Sequence, residues 1–222
     1  MQLTIFAATG GTGRRLLDQA VAAGHDVTAV VRDPAKLPAG VRAVTADLSS
    51  PDPATLERAV EGAGAVLSAL GPRSSAEAEH RIVTRGTRAI VEAMRAAGVR
   101  RLVAISASPV ATLPSPGRPH PPRRDPGDGF LIGNVLAPVV KAVFRDMYAD
   151  LAEMEDVIRE SGLDWTVVRP PRLNDKPVNG YRTARGQNVP HGFSASRADV
   201  ADLMLRVLED PDTVGQPVGI AR

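Results

Sequence analysis

Apolar positions along this chain alternate between two periods. Six short runs, LTIFA (3–7), DVTAVV (26–31), VRAVTA (41–46), AGAVLSAL (63–70), RRLVAIS (100–106) and DWTVVRP (164–170), are apolar or β-branched nearly throughout and read as buried strands. Between them, 12–24, 53–63 and 78–98 carry apolar residues at helical spacing. Gly24 and Gly98 stand where helix C-caps belong. This alternation predicts parallel βαβ units in a doubly wound α/β sheet with helices on both faces.

The alternation lapses at 109–129, where PVATLPSPGRPHPPRRDPGDG is too rich in proline and glycine for a helix. A loop of that length is either functional or unstructured. It follows the fifth strand, whose C-terminal end faces any ligand in such a sheet, so it reads as a lid or as a surface insertion. A helical pattern from Leu131 to Ser161 follows, with a kink expected at Pro138. Residues 170–192 read as irregular structure with short strands, and the chain is expected to close in a helix capped by Ser196, with Asp199 three residues on. One domain is expected over 1–222, with substrate-side segments at 130–150 and 170–195.

Composition narrows the function classes. A chain of 222 residues can bury a substantial core, but aromatics make up only 3%, so alanine, valine and leucine must fill it. A formal net charge of +2 gives little reason to expect a nucleic-acid partner. Cysteine is absent, which excludes disulfides and thiolate chemistry. The apolar stretch 130–144 is too short to span a bilayer and is broken by Pro138 and Lys141. No targeting segment is visible, so the expected address is the cytoplasm. The expected partner is a small molecule, bound by a monomer or a homodimer. His25, His80, His120 and His191 show no metal-ligand spacing, and no metal is expected.

The first strand runs into AATGGTG (7–13) and then a helix, the context in which a glycine-rich turn cradles a diphosphate. Gly10, Gly11 and Gly13 allow close approach and tight helix–strand packing, and Thr9 and Thr12 can add hydroxyl donors. Ala7 occupies the position of a first glycine; alanine is tolerated there at negative φ and costly in the left-handed region. The second strand ends in VVRDPAKL (30–37). An acidic group there would favour NAD, whereas Arg32, with Lys36 behind it, suits the 2′-phosphate of NADP(H). Asp33 is the counter-signal, one position late.

With TADL (45–48), LSALG (67–71), RLVAISAS (101–108), SGLDWTVVRPPRL (161–173) and SRADVADLM (196–204), the chain resembles the atypical short-chain dehydrogenase/reductase, NAD(P)H-binding family. That group includes biliverdin-IXβ reductase/flavin reductase and the NmrA-like proteins. The resemblance implies a Rossmann-type fold with a small C-terminal elaboration on the substrate side. It implies that Asp47 and Leu48 flank an adenine and that Ala69, Leu70 and Gly71 line the ribose–diphosphate side. Ser106 would sit near the nicotinamide ribose, and Pro170 and Pro171 near the nicotinamide. Ser108, Phe130 and Arg172 are expected on the substrate side. Arg172 stands where biliverdin-IXβ reductase-like sequences carry a histidine, and it favours an anionic or electron-rich acceptor if it faces the pocket.

Many relatives protonate a carbonyl with a tyrosine and a lysine four residues on. Here Tyr148 is followed at that spacing by Ala152, and Tyr181 by Arg185. Lys141 lies two helical turns from Tyr148, about 10 Å along the axis. Arg145 could polarise the Tyr148 phenol, and Tyr148 could equally be a packing residue. Ser106 and Tyr148 are the candidate catalytic residues. Without a Tyr–Lys pair, a flavin, quinone or enone is the expected hydride acceptor, because the protein then chiefly aligns two ring systems. The alternative is an NADP(H)-binding sensor of NmrA-like type that performs no turnover.

Overall fold

A computed structural model describes residues 1–72, 74–128 and 141–222. The elements are β1 (Gln2–Phe6), α1 (Gly11–Ala22), β2 (Asp26–Val31), β3 (Arg42–Thr45), α2 (Pro53–Val60) and β4 (Ala65–Ser68). They continue through α3 (Ser75–Glu79), α4 (Ile82–Ala96), β5 (Arg101–Ile105), α5 (Arg145–Arg159) and β6 (Asp164–Arg169). The remainder comprises β7 (Arg172–Asn174), β8 (Arg182–Arg185), β9 (Ser194–Ser196), α6 (Arg197–Arg206) and β10 (Gln216–Ala221). Among the described residues eight strands form one sheet in the order 3-2-1-4-5-6-10-8, and β7 pairs with β9. All neighbours in the large sheet are parallel except β8, which runs antiparallel to β10.

Both faces are covered, as the unbroken apolar strands require. On one face Leu16, Leu17, Val200 and Met204 of α1 and α6 pack on Leu3, Ile5 and Val103. On the other, Leu56, Ile90, Met94, Met154 and Ile158 of α2, α4 and α5 pack on Phe6, Val66 and Leu102. Strand order reverses between β1 and β4, which opens a crevice at their C-terminal ends.

The six expected strands form. Two local expectations change, and a third falls partly outside the described residues. The helical pattern over 78–98 breaks at Arg81, which adopts a left-handed φ of 52°. The break frees the first amides of α4 for the fully buried carboxylate of Asp150, which accepts from Val83 N at 3.1 Å and Thr84 N at 2.9 Å. The chain does not close in a helix either, because β10 follows α6 and enters the sheet between β6 and β8. Finally, α5 begins at Arg145, and the expected kink at Pro138 lies outside the described residues. The capping box at α6 is as expected: Asp199 N donates to Ser196 Oγ at 2.9 Å and Ser196 N to Asp199 Oδ2 at 3.3 Å.

Among the described residues no helix is long and apolar enough to cross a membrane.

Candidate functional site

The turn after β1 is shaped by one close approach. Gly10 N donates to Ala7 O at 3.0 Å, and a Cβ on Gly13 would lie 2.1 Å from that same oxygen. Only glycine lets α1 sit so near the strand end. Ala7 takes a left-handed φ of 57°, the costly alternative, worth about 1 kcal/mol against glycine. No side chain caps α1 and its first turn holds no acidic residue, so its leading amides and positive dipole end remain available to an anion.

A groove opens over this turn at the ends of β1 to β4. Ala7, Thr9 and Gly10 form its floor, Arg32 and Lys36 one end, and Asp47, Leu48, Ala69, Leu70 and Gly71 the remaining wall. Gly11, Thr12 and Gly13 belong to the first helical turn behind it, and the Thr12 side chain is buried. Arg32 is exposed and has no ion-pair partner among the described residues. Asp33, the counter-signal, is occupied: it accepts from Ala35 N at 3.1 Å and pairs with Lys36 at 3.6 Å.

A second cavity of about 380 Å³ lies at the ends of β5 and β6, along the same edge of the sheet. Ala107, Ser108 and Pro109 line it from β5, and Arg169, Pro171 and Arg172 from β6. Phe144 and Tyr148, whose rings meet edge to face at 6.2 Å, close another side with Phe193, Val189, Ile220 and Ala221. Pro170 is buried beside it, its carbonyl accepting from Ser108 N at 2.9 Å. Arg172 is exposed and unpaired among the described residues. Phe130 and the apolar stretch around it lie outside the described residues.

The candidate acids fare differently. Tyr148 lines the cavity, and burial alone pushes its phenol above the usual value. That is the opposite of activation by a neighbouring cation, and Arg145 contributes nothing to it. Tyr181 is held by Asp202, to which it donates at 2.6 Å, and burial together with that carboxylate pushes it far upward. Lys141 donates to the Thr112 hydroxyl and is lowered by burial. His120 and His191 are exposed and do not line the cavity.

Ser106 is not presented to the cavity. The residue is 6% exposed, and its hydroxyl donates to Glu155 Oε1 at 2.7 Å. Arg169 grips the same carboxylate in a fork, Nε to Oε1 at 2.9 Å and Nη2 to Oε2 at 2.5 Å, and Arg159 adds a bond to Oε2 at 2.6 Å. Burial alone would raise the Glu155 carboxyl, but the two guanidiniums and Ser106 outweigh it and hold it below the usual range. The cluster anchors the end of β6 to α5.

Two cavity residues carried no signal in the sequence. Asp128 lies near the end of the proline-rich segment, and Asn188 precedes β9; both line the cavity. The described part of that segment is tied down. Asp156 accepts from Ser115 Oγ at 3.0 Å and Gly117 N at 2.9 Å, and Arg118 donates to Val110 O at 2.6 Å. It forms cavity wall through Pro109 and Asp128.

Comparison with known proteins agrees with this geometry. A family model described as NAD(P)H-binding matches residues 7–211. A 3-diazoavenalumate denitrifying reductase from Streptomyces is 37% identical over 189 residues, which is 82% of this chain and 59% of the relative. This chain therefore spans less than two thirds of that protein's length. A chloroplastic protein of Arabidopsis thaliana is 26% identical over 216 residues, 92% of this chain and 70% of its own. Among solved structures, ChuY, an anaerobillin reductase from Escherichia coli O157:H7, superposes with a TM-score of 0.73 at 24% identity, covering 100% of this chain and 97% of its own. A wide-type short-chain dehydrogenase/reductase from Veillonella parvula, solved with NADP, gives a TM-score of 0.74 at 17% identity and covers 100% and 94%. These two likenesses show a shared fold.

Proposed function

The chain belongs to the NAD(P)H-binding family, and from that premise we propose that it is an NADPH-dependent reductase of a conjugated, planar small molecule such as a quinone, flavin or enone. The observation that carries the reading is the largely apolar cavity at the ends of β5 and β6, on the same sheet edge as the dinucleotide groove. Reductase names among the relatives support the reaction type, and a neighbour solved with NADP supports the cofactor.

The residues present fit a dinucleotide. The leading amides of α1, with Thr9 and Gly10, would hold the diphosphate. Arg32 and Lys36 would hold a 2′-phosphate, a fork and a point charge respectively. Asp47 and Leu48 would flank the adenine, with Ala69, Leu70 and Gly71 along the ribose–diphosphate side. Ser108, Pro170 and Pro171 would bound the nicotinamide. When bound, the reduced nicotinamide supplies hydride. The protein's task is alignment and exclusion of water: Phe144, Tyr148, Val189 and Phe193 offer flat or apolar walls to a planar acceptor, and Arg172 offers positive charge near the β6 end.

Purified protein mixed with NADPH and a panel of FMN, menadione and cinnamaldehyde tests the reading. Loss of reduced-nicotinamide absorbance with at least one acceptor is the expected result. Tight NADPH binding with no oxidation across the panel would overturn it in favour of a cofactor sensor.

A further inference from the structure

We propose that Asp128 is the proton donor of this site for the enone-type acceptors among its substrates, whose carbonyl must be protonated as hydride arrives. The inference rests on the reductase reading above.

Asp128 is built into the cavity wall with more fixings than an incidental surface carboxylate. It closes a turn in which its own N–H donates to Asp125 O at 3.0 Å. Asp125 is itself buried, and its Oδ1 accepts from Gly127 N at 2.8 Å and from Asn188 N at 2.8 Å. The turn presses against the chain at 188 so closely that a Cβ on Gly127 would fall 1.8 Å from Asn188 O. The Asn188 side chain then reaches across: Nδ2 donates to Asp128 Oδ1 at 3.0 Å and to Ser108 O at 3.3 Å. Two acceptors fix that amide's orientation, so Asn188 is a positioning residue for the carboxyl. Asp128 Oδ2 takes no hydrogen bond from the described residues, and Asp128 lines the cavity together with Tyr148 and Arg172.

The electrostatics suit an acid. Burial raises the Asp128 carboxyl, the charge of Asp125 pushes the same way, and the Asn188 donor and Lys141 oppose them without cancelling the rise. Arg169 and Arg172 also line the cavity, but Arg169 is committed to Glu155. An apolar ring entering the cavity would remove more water from Asp128 and favour its neutral form further. Tyr148, raised by burial and without a cation partner among the described residues, is the weaker acid of the two.

The step balances. The β-carbon of an enone would take the hydride that a bound reduced nicotinamide would supply, leaving the nicotinamide oxidised, and the carbon–carbon double bond would shift toward the carbonyl. The carbonyl oxygen takes the Asp128 proton, which leaves an enol and a carboxylate; solvent reprotonates the carboxylate and the enol tautomerises in water. A quinone makes far less use of such a donor, because its oxygens exchange protons with water directly.

The test compares D128N with the unmodified protein on NADPH with cinnamaldehyde and with menadione. The expected result is a fall of at least about tenfold in the ratio of cinnamaldehyde to menadione turnover, carried in kcat and accompanied by loss of the alkaline decline in the cinnamaldehyde pH profile. An unchanged ratio overturns the inference. No turnover of cinnamaldehyde by an unmodified protein that oxidises NADPH with menadione or FMN also overturns it, whereas silence with all three acceptors means that the reductase reading fails instead, which separates the two. Infrared difference titration of the free protein adds a readout without turnover: a protonated-carboxyl band that persists above the range of exposed carboxyls and vanishes in D128N. Its absence from the unmodified protein also overturns the proposal.

Discussion

The hydroxyl of Ser106 donates to Glu155 Oε1 at 2.7 Å, beneath the end of β5, and so is spent inside the protein. A serine at this point of the chain invites a role against the cofactor, yet its geometry assigns it to the ionic cluster under the cavity. Ser106→Ala should therefore lower stability by about 1–2 kcal/mol, the loss of one buried bond to a charged acceptor. Turnover of any accepted substrate should change less than about threefold, a threshold well under the 10²–10⁴-fold that general acids contribute. Thermal melts and steady-state kinetics on the same preparation check both halves.

Glu155 makes acid stability measurable. Its folded pKa is depressed below the unfolded value of about 4.3, so its contribution is fully present above that pH and is lost as pH falls through the folded value. Glu155→Gln leaves the Arg169 guanidinium, 4% exposed, without its counter-charge and should cost about 3 kcal/mol near neutrality. The gap between the melting curves of the two proteins should narrow progressively as pH drops below about 5. A gap that stays constant as the pH is lowered would contradict the assignment.

At Ala7 the backbone conformation opposes the residue. With φ at 57°, Ala7→Gly should stabilise the fold by about 1 kcal/mol, or raise Tm by about 2–4 °C in a chain of this size. Gly13→Ala should do the reverse and far more severely, because the new methyl would meet Ala7 O. Calorimetric melts of both variants give the comparison.

Why some of this was legible in the sequence and some was not follows from the range of the forces involved. The strands of the parallel sheet are buried on both faces, so their apolar runs stand out locally, and the Ser196–Asp199 capping box lies within one turn. Ala7 to Gly13, Arg32 and Lys36 follow from the glycine turn and the end of the second strand, Asp47 to Gly71 from the family resemblance, and the structure brings ten of the expected positions into one cleft. The strand β10 was hidden because Pro217 and Gly219 dilute its pattern; its place between β6 and β8 is a matter of sheet topology. Gly219 also lets the chain at Gln187 come close, since a Cβ there would sit 2.4 Å from Gln187 O. Asp128 and Asn188 meet across sixty positions in the chain through the buried Asp125, and neither residue has a local pattern that announces it.

Arg172 tests what the cavity prefers. It lines the cavity with no ion-pair partner among the described residues, so its charge is free to meet a ligand. Arg172→Gln should raise KM for an anionic acceptor such as FMN by about three- to tenfold, as expected for a partly exposed charge contact of about 1 kcal/mol. KM for neutral menadione should move less than twofold, well within that same margin. Equal shifts for both acceptors would assign Arg172 to packing.

The sharpest prediction concerns Arg32, because Asp33 offers a rival reading at the adjacent position. An NAD site needs a free carboxylate for the ribose hydroxyls, but Asp33 already caps the turn at Ala35 and pairs with Lys36. The guanidinium of Arg32, unpaired among the described residues, stands at the end of β2 in the same groove. A charge-assisted fork to a 2′-phosphate is worth about 1.5–3 kcal/mol, so Arg32→Glu should reduce the NADPH-over-NADH preference by about 10- to 150-fold. Most of that change should appear in NADPH affinity, with NADH affinity held or improved. Lys36→Ala should have a smaller effect of the same sign, since its ammonium is shared with Asp33. Calorimetric titration of each variant with both cofactors measures this directly, and a preference that survives charge reversal at Arg32 would remove the basis for assigning NADPH.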